Sequence, residues 1–147
     1  MGSVKKLKIL SPAVDLKEGV GRLFFTDKFS IFDYGSMPDT IPDKGRALAL
    51  IGAFFYELFE EHGIKTRYRG VIENGVRKKL DDISQPPEEL ELSLCHIFRP
   101  DFKDGQYVYP DYSLKQGNFF IPLEFIYRNR LPKWASIFKR LKSGEIT

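Results

Sequence analysis

The segment Ile121 to Ser136, reading IPLEFIYRNRLPKWAS, holds the residues best suited to bind an anion. On an extended strand, side chains of equal parity share a face, so Glu124 and Arg128 point the same way. Arg128 and Arg130 would leave the strand end toward one ligand. A guanidinium grips phosphate through paired, planar hydrogen bonds. Ser136 opens an expected helix, where a hydroxyl and free backbone N–H groups suit the same anion. Spacing alone favours a solvated basic edge with Glu124 in a salt bridge.

A second set is Leu16 to Phe25, LKEGVGRLFF. Gly19 and Gly21, beside Arg22, could bring backbone N–H groups against phosphate oxygens. No helix follows and no Lys-Ser/Thr pair ends the run, so it is neither a dinucleotide fingerprint nor a Walker loop. A plain turn is the competing reading. The third set, Asp27 to Gly45, gathers Asp27, Lys28, Asp33, Asp39, Asp43 and Lys44 among turn residues. Such a polar loop before an apolar helix either lines a site or simply caps turns.

His62 and His96 are the chain's two histidines, which argues against a multi-histidine metal site or a histidine-centred triad. Cys95 is the single cysteine, so no intrachain disulfide forms, and a reducing, cytoplasmic setting is expected. No signal-peptide run opens the sequence and no apolar stretch is long enough for a membrane span.

Elements must position these groups. The 147 residues fit one domain, 1–147, with 42% apolar and 29% charged residues, an ordinary globular balance. Val4 to Leu10 reads as a half-exposed strand, and Ser11 to Gly21 as a loop broken by Pro12, Gly19 and Gly21. Arg22 to Thr26 and Phe29 to Phe32 read as short strands, and Tyr34 to Asp43 as turns. The clearest element is a helix over about Lys44 to His62. Leu48, Ile51, Phe55, Leu58 and Phe59 form its apolar stripe, with Asp43 as N-cap and Gly63 as its stop. Asn74-Gly75 signals a type I′ hairpin between Thr66–Glu73 and Val76–Leu80. Glu91 to Arg99 alternates, with Leu92, Leu94, His96 and Phe98 on one side. Asp104-Gly105 marks a second turn, Asn118 to Arg128 a strand, and Ala135 to Leu141 a short helix ending at Gly144. The expected class is α+β, an antiparallel sheet with one long helix packed on one face.

Net charge is +3, yet Arg128, Arg130, Lys133, Lys139, Arg140 and Lys142 follow one another without an acid, leaving the rest net acidic. That patch suits an anionic partner. Tyr127, Trp134 and Phe138 interleave with it in the manner of a nucleic-acid surface, but the small total charge speaks against that partner.

The run TDKFSIFDYGSMPDTIPDKG, followed by RALALIGAFFYELFEEHGIKTRY, resembles the N-terminal region of the SAICAR synthetase family (phosphoribosylaminoimidazole-succinocarboxamide synthase). That family carries S-x-F-D, then I-P-x-K-G, then an aromatic helix before G-I-x-T. These are here Ser30–Asp33, Ile41–Gly45 and Gly63–Thr66. Pro122, Leu123, Glu124, Arg128, Asn129, Ser136 and Lys139–Leu141 are similar to the family's P-L-E-x-x-x-R-N segment, its serine and its K-R-L. The resemblance runs from about Gly19 onward, weakest over Asp81 to Asn118.

The resemblance implies an ATP-dependent ligase of purine biosynthesis. It would join L-aspartate to carboxyaminoimidazole ribotide (CAIR), giving SAICAR, ADP and phosphate. It implies an ATP-binding α+β lobe in which Arg128 and Ser136, with Arg130 nearby, hold the ribotide phosphate and Glu124 sits in the same cleft. Gly19, Gly21, Arg22 and Lys44 fall to the nucleotide side. Mg²⁺ is the expected metal, with its carboxylate ligands in the family's later D-x-K-x-E-F-G region, which this sequence does not contain, so no metal ligand is expected here. The sequence departs from the family pattern where Val20 replaces the loop lysine. Ala49 and Gly52 depart too, and Ala135 precedes the serine. A truncated or atypical ligase is therefore expected, with a non-catalytic nucleotide- or partner-binding module as the alternative. Apolar strands beside an open cleft would also let two copies pair as a homo-oligomer.

Overall fold

Alternating strands and tight turns fold as the sequence pattern demands, into an α+β arrangement. The computed structural model describes residues 4–14, 16–31, 35–121 and 129–145. Strands β1 (Lys5–Ser11), β2 (Gly19–Phe25), β5 (Tyr68–Glu73), β6 (Val76–Lys78) and β7 (Glu89–Leu94) form one antiparallel sheet in the order β1-β2-β7-β5-β6. β7, late in sequence, inserts between β2 and β5, running from Gly19↔Leu94 to Phe24↔Glu89 on one side. On its other side Gly70 faces Glu91 and Val71 faces Leu90, after a bulge between Tyr68 and Gly70. β3 (Lys28–Ile31) and β4 (Gly35–Thr40) pair separately, so the expected turn-rich stretch from Tyr34 carries a strand. Pro38, which lacks the N–H a ladder needs, sits exposed in this two-stranded ribbon.

Both expected hairpin turns form. Asn74 and Gly75 have φ of 52° and 80°, and Asp104 and Gly105 have 51° and 79°, the positive values that a two-residue type I′ turn requires. The second turn joins β9 (Asp101–Lys103) to β10 (Gln106–Val108). The alternating run after Glu91 breaks at Cys95, beyond which β8 (His96–Ile97) pairs in parallel with β11 (Phe119–Phe120). The rest of the expected strand, Pro122 to Arg128, lies outside the described residues.

Helix α1 (Lys44–Glu61) matches its expected span. Its end is a Schellman motif: Gly63 N–H donates to Glu60 O, Ile64 N–H to Phe59 O, and Gly63 has φ 74°. Its start departs from expectation. Asp43 occupies the N-cap position in a left-handed conformation, and its side chain caps nothing. Asp27 does so instead, Oδ1 accepting the Gly45 N–H at 2.8 Å and Oδ2 the Asp43 N–H at 3.3 Å.

The helix face is also corrected. The residues buried against the sheet are Gly45, Ala49 and Ala53, a small-residue row four apart, while Ile51, Phe55 and Phe59 are exposed. Small side chains let the axis come close. A Cβ on Gly45 would lie 2.7 Å from Phe25 O. The core is Phe25, Ala49, Ala53, Tyr68, Val71 and Leu90, with Leu23, Leu48, Tyr56 and Leu92 packed around it. The bulky stripe instead borders an apolar groove of about 420 Å³ between α1 and the sheet, lined by Leu23, Leu48, Ile51, Phe55, Phe59 and Leu92 among others.

Helix α2 (Ser136–Lys142) ends near Gly144, as expected. Among the described residues, no helix is long and apolar enough to cross a membrane.

Candidate functional site

The expected glycine loop is a strand. Gly19 and Gly21 pair in register with Leu94 and Leu92, so their backbones serve the sheet rather than a loop. Backbone packed against Gly19 leaves no room for a side chain, and Gly21 is tightly covered. A Cβ on Gly19 would collide with Ala13 N and meet Ser11 O at 2.5 Å. Gly21 lies under the Leu7 and Leu94 methyl groups, 3.1 Å and 3.0 Å from where its Cβ would be.

Strand alternation then decides which way each neighbour points. Leu23 and Phe25 face the helix, so Arg22 faces the opposite, helix-free side. Leu90 and Leu92 face the helix, so Glu91 joins Arg22. The bulge after Tyr68 and the β5–β6 hairpin bring Arg69 and Arg77 to the same place.

The result is one carboxylate ringed by three guanidinium groups. Glu91 Oε2 lies 3.5 Å from Arg22 Nε, and Oε1 lies 3.3 Å from Arg69 Nε and 3.1 Å from Arg77 Nη1. Glu91 is only 7% exposed, because the arginine stems fold over it. The guanidinium groups stay partly open to solvent. A desolvated carboxylate is tolerated only with such partners. Three positive charges against one leave these four side chains at net +2, with Glu89 two residues along β7 on the same face and Lys8 in register with Arg22. Arg22 Nη2 also donates to Gly75 O at 3.2 Å, which ties the cluster to the hairpin turn. Arg22 Nε is buried and makes no hydrogen bond among the described residues.

Beside this cluster, two adjoining clefts share Arg46 and Glu88. One, about 310 Å³, is lined by Phe24, Thr26, Asp27, Asp43 and Gly45 among others, and the second, about 270 Å³, includes Asn74 and Gly75. Arg46 Nε donates to Glu88 Oε1 at 2.9 Å, and that carboxylate raises the guanidinium's already high pKa. Lys44 does not join the arginine cluster, since its Nζ donates to Lys28 O at 2.9 Å at the start of α1. Ser136 is the exposed first residue of α2, and Arg130 is exposed ahead of it. Glu124 and Arg128 lie outside the described residues, as does Asp33.

Away from this face, Glu57 accepts from the Tyr68 hydroxyl at 2.8 Å and from Leu80 N–H at 3.0 Å. Burial, then Glu57, pushes the Tyr68 pKa far up, so the hydroxyl stays protonated. Glu73, which lines the second cleft, bonds Lys78, Ser84 and Gln85, and Lys78 first among them holds its pKa down to about 2. Among the described residues no three His, Cys, Asp or Glu side chains converge to hold a metal ion.

Sequence reading missed Arg69, Arg77 and Glu91. The signal for Glu91 was there, since it alternates with Leu90 and Leu92. The partner choice was not, because nothing local says that β7 enters between β2 and β5.

The sequence profile of the SAICAR synthetase family matches residues 15–144. A relative from Archaeoglobus fulgidus, provisionally named phosphoribosylaminoimidazole-succinocarboxamide synthase, is 43% identical over 145 residues, which is 99% of this chain and 42% of that protein. Phosphoribosylaminoimidazole-succinocarboxamide synthases from Methanoculleus marisnigri and Thermoplasma volcanium are 44% identical over 52 residues and 26% identical over 123. Those matches cover 35% and 83% of this chain, and 21% and 32% of the relatives. The chain thus spans less than half the length of the curated relatives it matches. No solved structure matches.

Proposed function

The chain belongs to the SAICAR synthetase family, and from that premise we propose that it forms the ATP-binding lobe of a purine-biosynthesis ligase joining L-aspartate to CAIR. The observation that carries this reading is Arg22. It stands at the family's nucleotide loop and points from the middle strand region to the helix-free face, within a cluster of net positive charge. The donors present fit phosphate: guanidinium groups give planar, charge-assisted hydrogen bonds to anionic oxygens.

ATP, when bound, supplies the phosphoryl group that activates the CAIR carboxylate. This chain's residues bind and orient. Arg22 draws the phosphates to the sheet, Gly19 and Gly21 keep the strand flat and close, and Lys44 fixes the start of α1 to β3. By family resemblance, Arg128 and Ser136, with Arg130, receive the ribotide phosphate, and Glu124 shares that cleft. By family resemblance, the carboxylates that would hold Mg²⁺ belong to the family's later region. In this reading residues 1–147 act as one lobe, and other carboxylates complete the site.

The test mixes the chain with ATP, Mg²⁺, CAIR and L-aspartate and measures ADP release. ADP release that depends on both co-substrates supports the ligase, alone or after the remaining family region is supplied. No dependence with that region present overturns it. Val20 favours a second reading. Half-buried and paired with Ser93 inside the sheet, it offers no charge at the family's lysine position. A non-catalytic nucleotide-binding module would bind ATP and never turn it over, even when completed.

A further inference from the structure

Arg22 has a role in the nucleotide reading, whereas Arg69, Arg77 and Glu91 have none. We propose that Arg69 and Arg77 join Arg22 as a clamp for a polyphosphate chain, with Glu91 as the positioning residue that holds the three guanidinium groups together. The clamp deepens the nucleotide reading and rests on it for the source of the polyphosphate.

Four strands supply the four side chains: β2, β7, β5 and β6. The ladder between them fixes their spacing, so the cluster is built into the sheet. Each guanidinium carries five N–H donors, far more in total than two carboxylate oxygens accept. Arg77 and Arg69 keep 48% and 33% of their side-chain surface open, which leaves donors facing solvent around a carboxylate that is itself covered. Arg69 Nη1 also comes within 3.5 Å of Ser93 Oγ, which limits its swing.

Stability does not explain this arrangement. A covered ion pair gains little over apolar side chains of the same volume, and a net +2 cluster repels itself. A chain of phosphates removes that repulsion and accepts the remaining donors. It spans several guanidinium groups at once, which a single carboxylate or monophosphate does not. Val20 and Phe24 share the face with Arg22 by alternation, Lys8 stands in register with Arg22 on β1, and Phe24 is flanked in register by Lys6 and Glu89.

The experiment is calorimetric titration of the 147-residue chain with inorganic tripolyphosphate and, separately, with ATP. The variants are Arg69→Ala, Arg77→Ala, Arg77→Lys and Glu91→Gln, with Lys103→Ala on the β9–β10 hairpin as control. Losing one charge-assisted contact should weaken tripolyphosphate binding about tenfold in Arg69→Ala and Arg77→Ala, less in Arg77→Lys, and flatten its salt dependence. Lys103→Ala should bind normally. Glu91→Gln removes a negative charge, so simple attraction would tighten binding, whereas loss of positioning weakens it. Unchanged tripolyphosphate affinity in both arginine variants, or none in the parent chain, overturns the clamp. Tighter binding by Glu91→Gln overturns the positioning role. Arg77 is half exposed, so its variants keep the test open if Glu91→Gln fails to fold. ATP affinity indifferent to Arg69 and Arg77 sinks the clamp and spares the nucleotide reading. Arginine-dependent tripolyphosphate binding that ATP does not compete with sinks the nucleotide reading and spares the clamp.

Discussion

Asp27 caps helix α1 from the turn after β2, its Oδ1 accepting the Gly45 N–H at 2.8 Å across eighteen residues of sequence. The sheet and the helix start are therefore one unit. Two clefts open beside the arginine cluster because this contact pins α1 there.

Asp27→Ala should lower unfolding stability by about 1 kcal/mol, the usual value of an N-cap side chain. Asp27→Asn should retain part of it. Gly45→Ala should do worse, by about 1–3 kcal/mol, because its Cβ would meet Phe25 backbone oxygen. Urea unfolding followed by circular dichroism checks all three.

Leu90→Ala should cost about 2–5 kcal/mol, since Leu90 is fully buried beneath α1. Ile51→Ala should stay within about 0.5–1 kcal/mol, because that side chain is half exposed. Equal losses for the two would contradict the small-residue packing of the helix.

Glu73 gives a pH signature. Its carboxyl is held down to about 2 against an ordinary 4.5, chiefly by Lys78 and then by Ser84. A depressed acid contributes stability above its unfolded pKa and loses it as pH falls toward the folded one. Stability should therefore decline between about pH 4.5 and 2, and Glu73→Gln should be less stable at pH 7 with a flatter acid limb. Denaturant midpoints measured across that range test it. A Glu73→Gln profile superimposing on the parent would contradict the assignment.

Tyr68→Phe should lose about 0.5–1.5 kcal/mol, because the hydroxyl satisfies the Glu57 carboxylate beneath Leu80. Thermal unfolding at neutral pH measures it.

Local chemistry was legible in the sequence. Asn74-Gly75 and Asp104-Gly105 declare their turns through positive φ, and Gly63 declares the end of α1 in the same way. Long-range choices were hidden. Asp43 looked like the cap because it was adjacent, whereas Asp27 reached in from another element. Ile51, Phe55 and Phe59 looked like the buried stripe because they are large, yet Gly45, Ala49 and Ala53 permit the closer approach. Gly19 and Gly21 read as loop breakers, though both lie in a strand, where backbone packed against Gly19 excludes a side chain. Of the proposed site, Arg22 drew notice through its place beside the glycines, while the grouping of Arg69, Arg77 and Glu91 around it emerges only from strand order. Glu124 and Arg128 rest on resemblance.

The central claim is that the helix-free face around Arg22 receives nucleotide phosphates. Equilibrium titration of ATP against the parent chain and Arg22→Ala measures it most directly. Binding by the parent should be saturable and weaken about tenfold or more when the guanidinium is removed. Equal ATP affinity for the two chains, both folded, would contradict it.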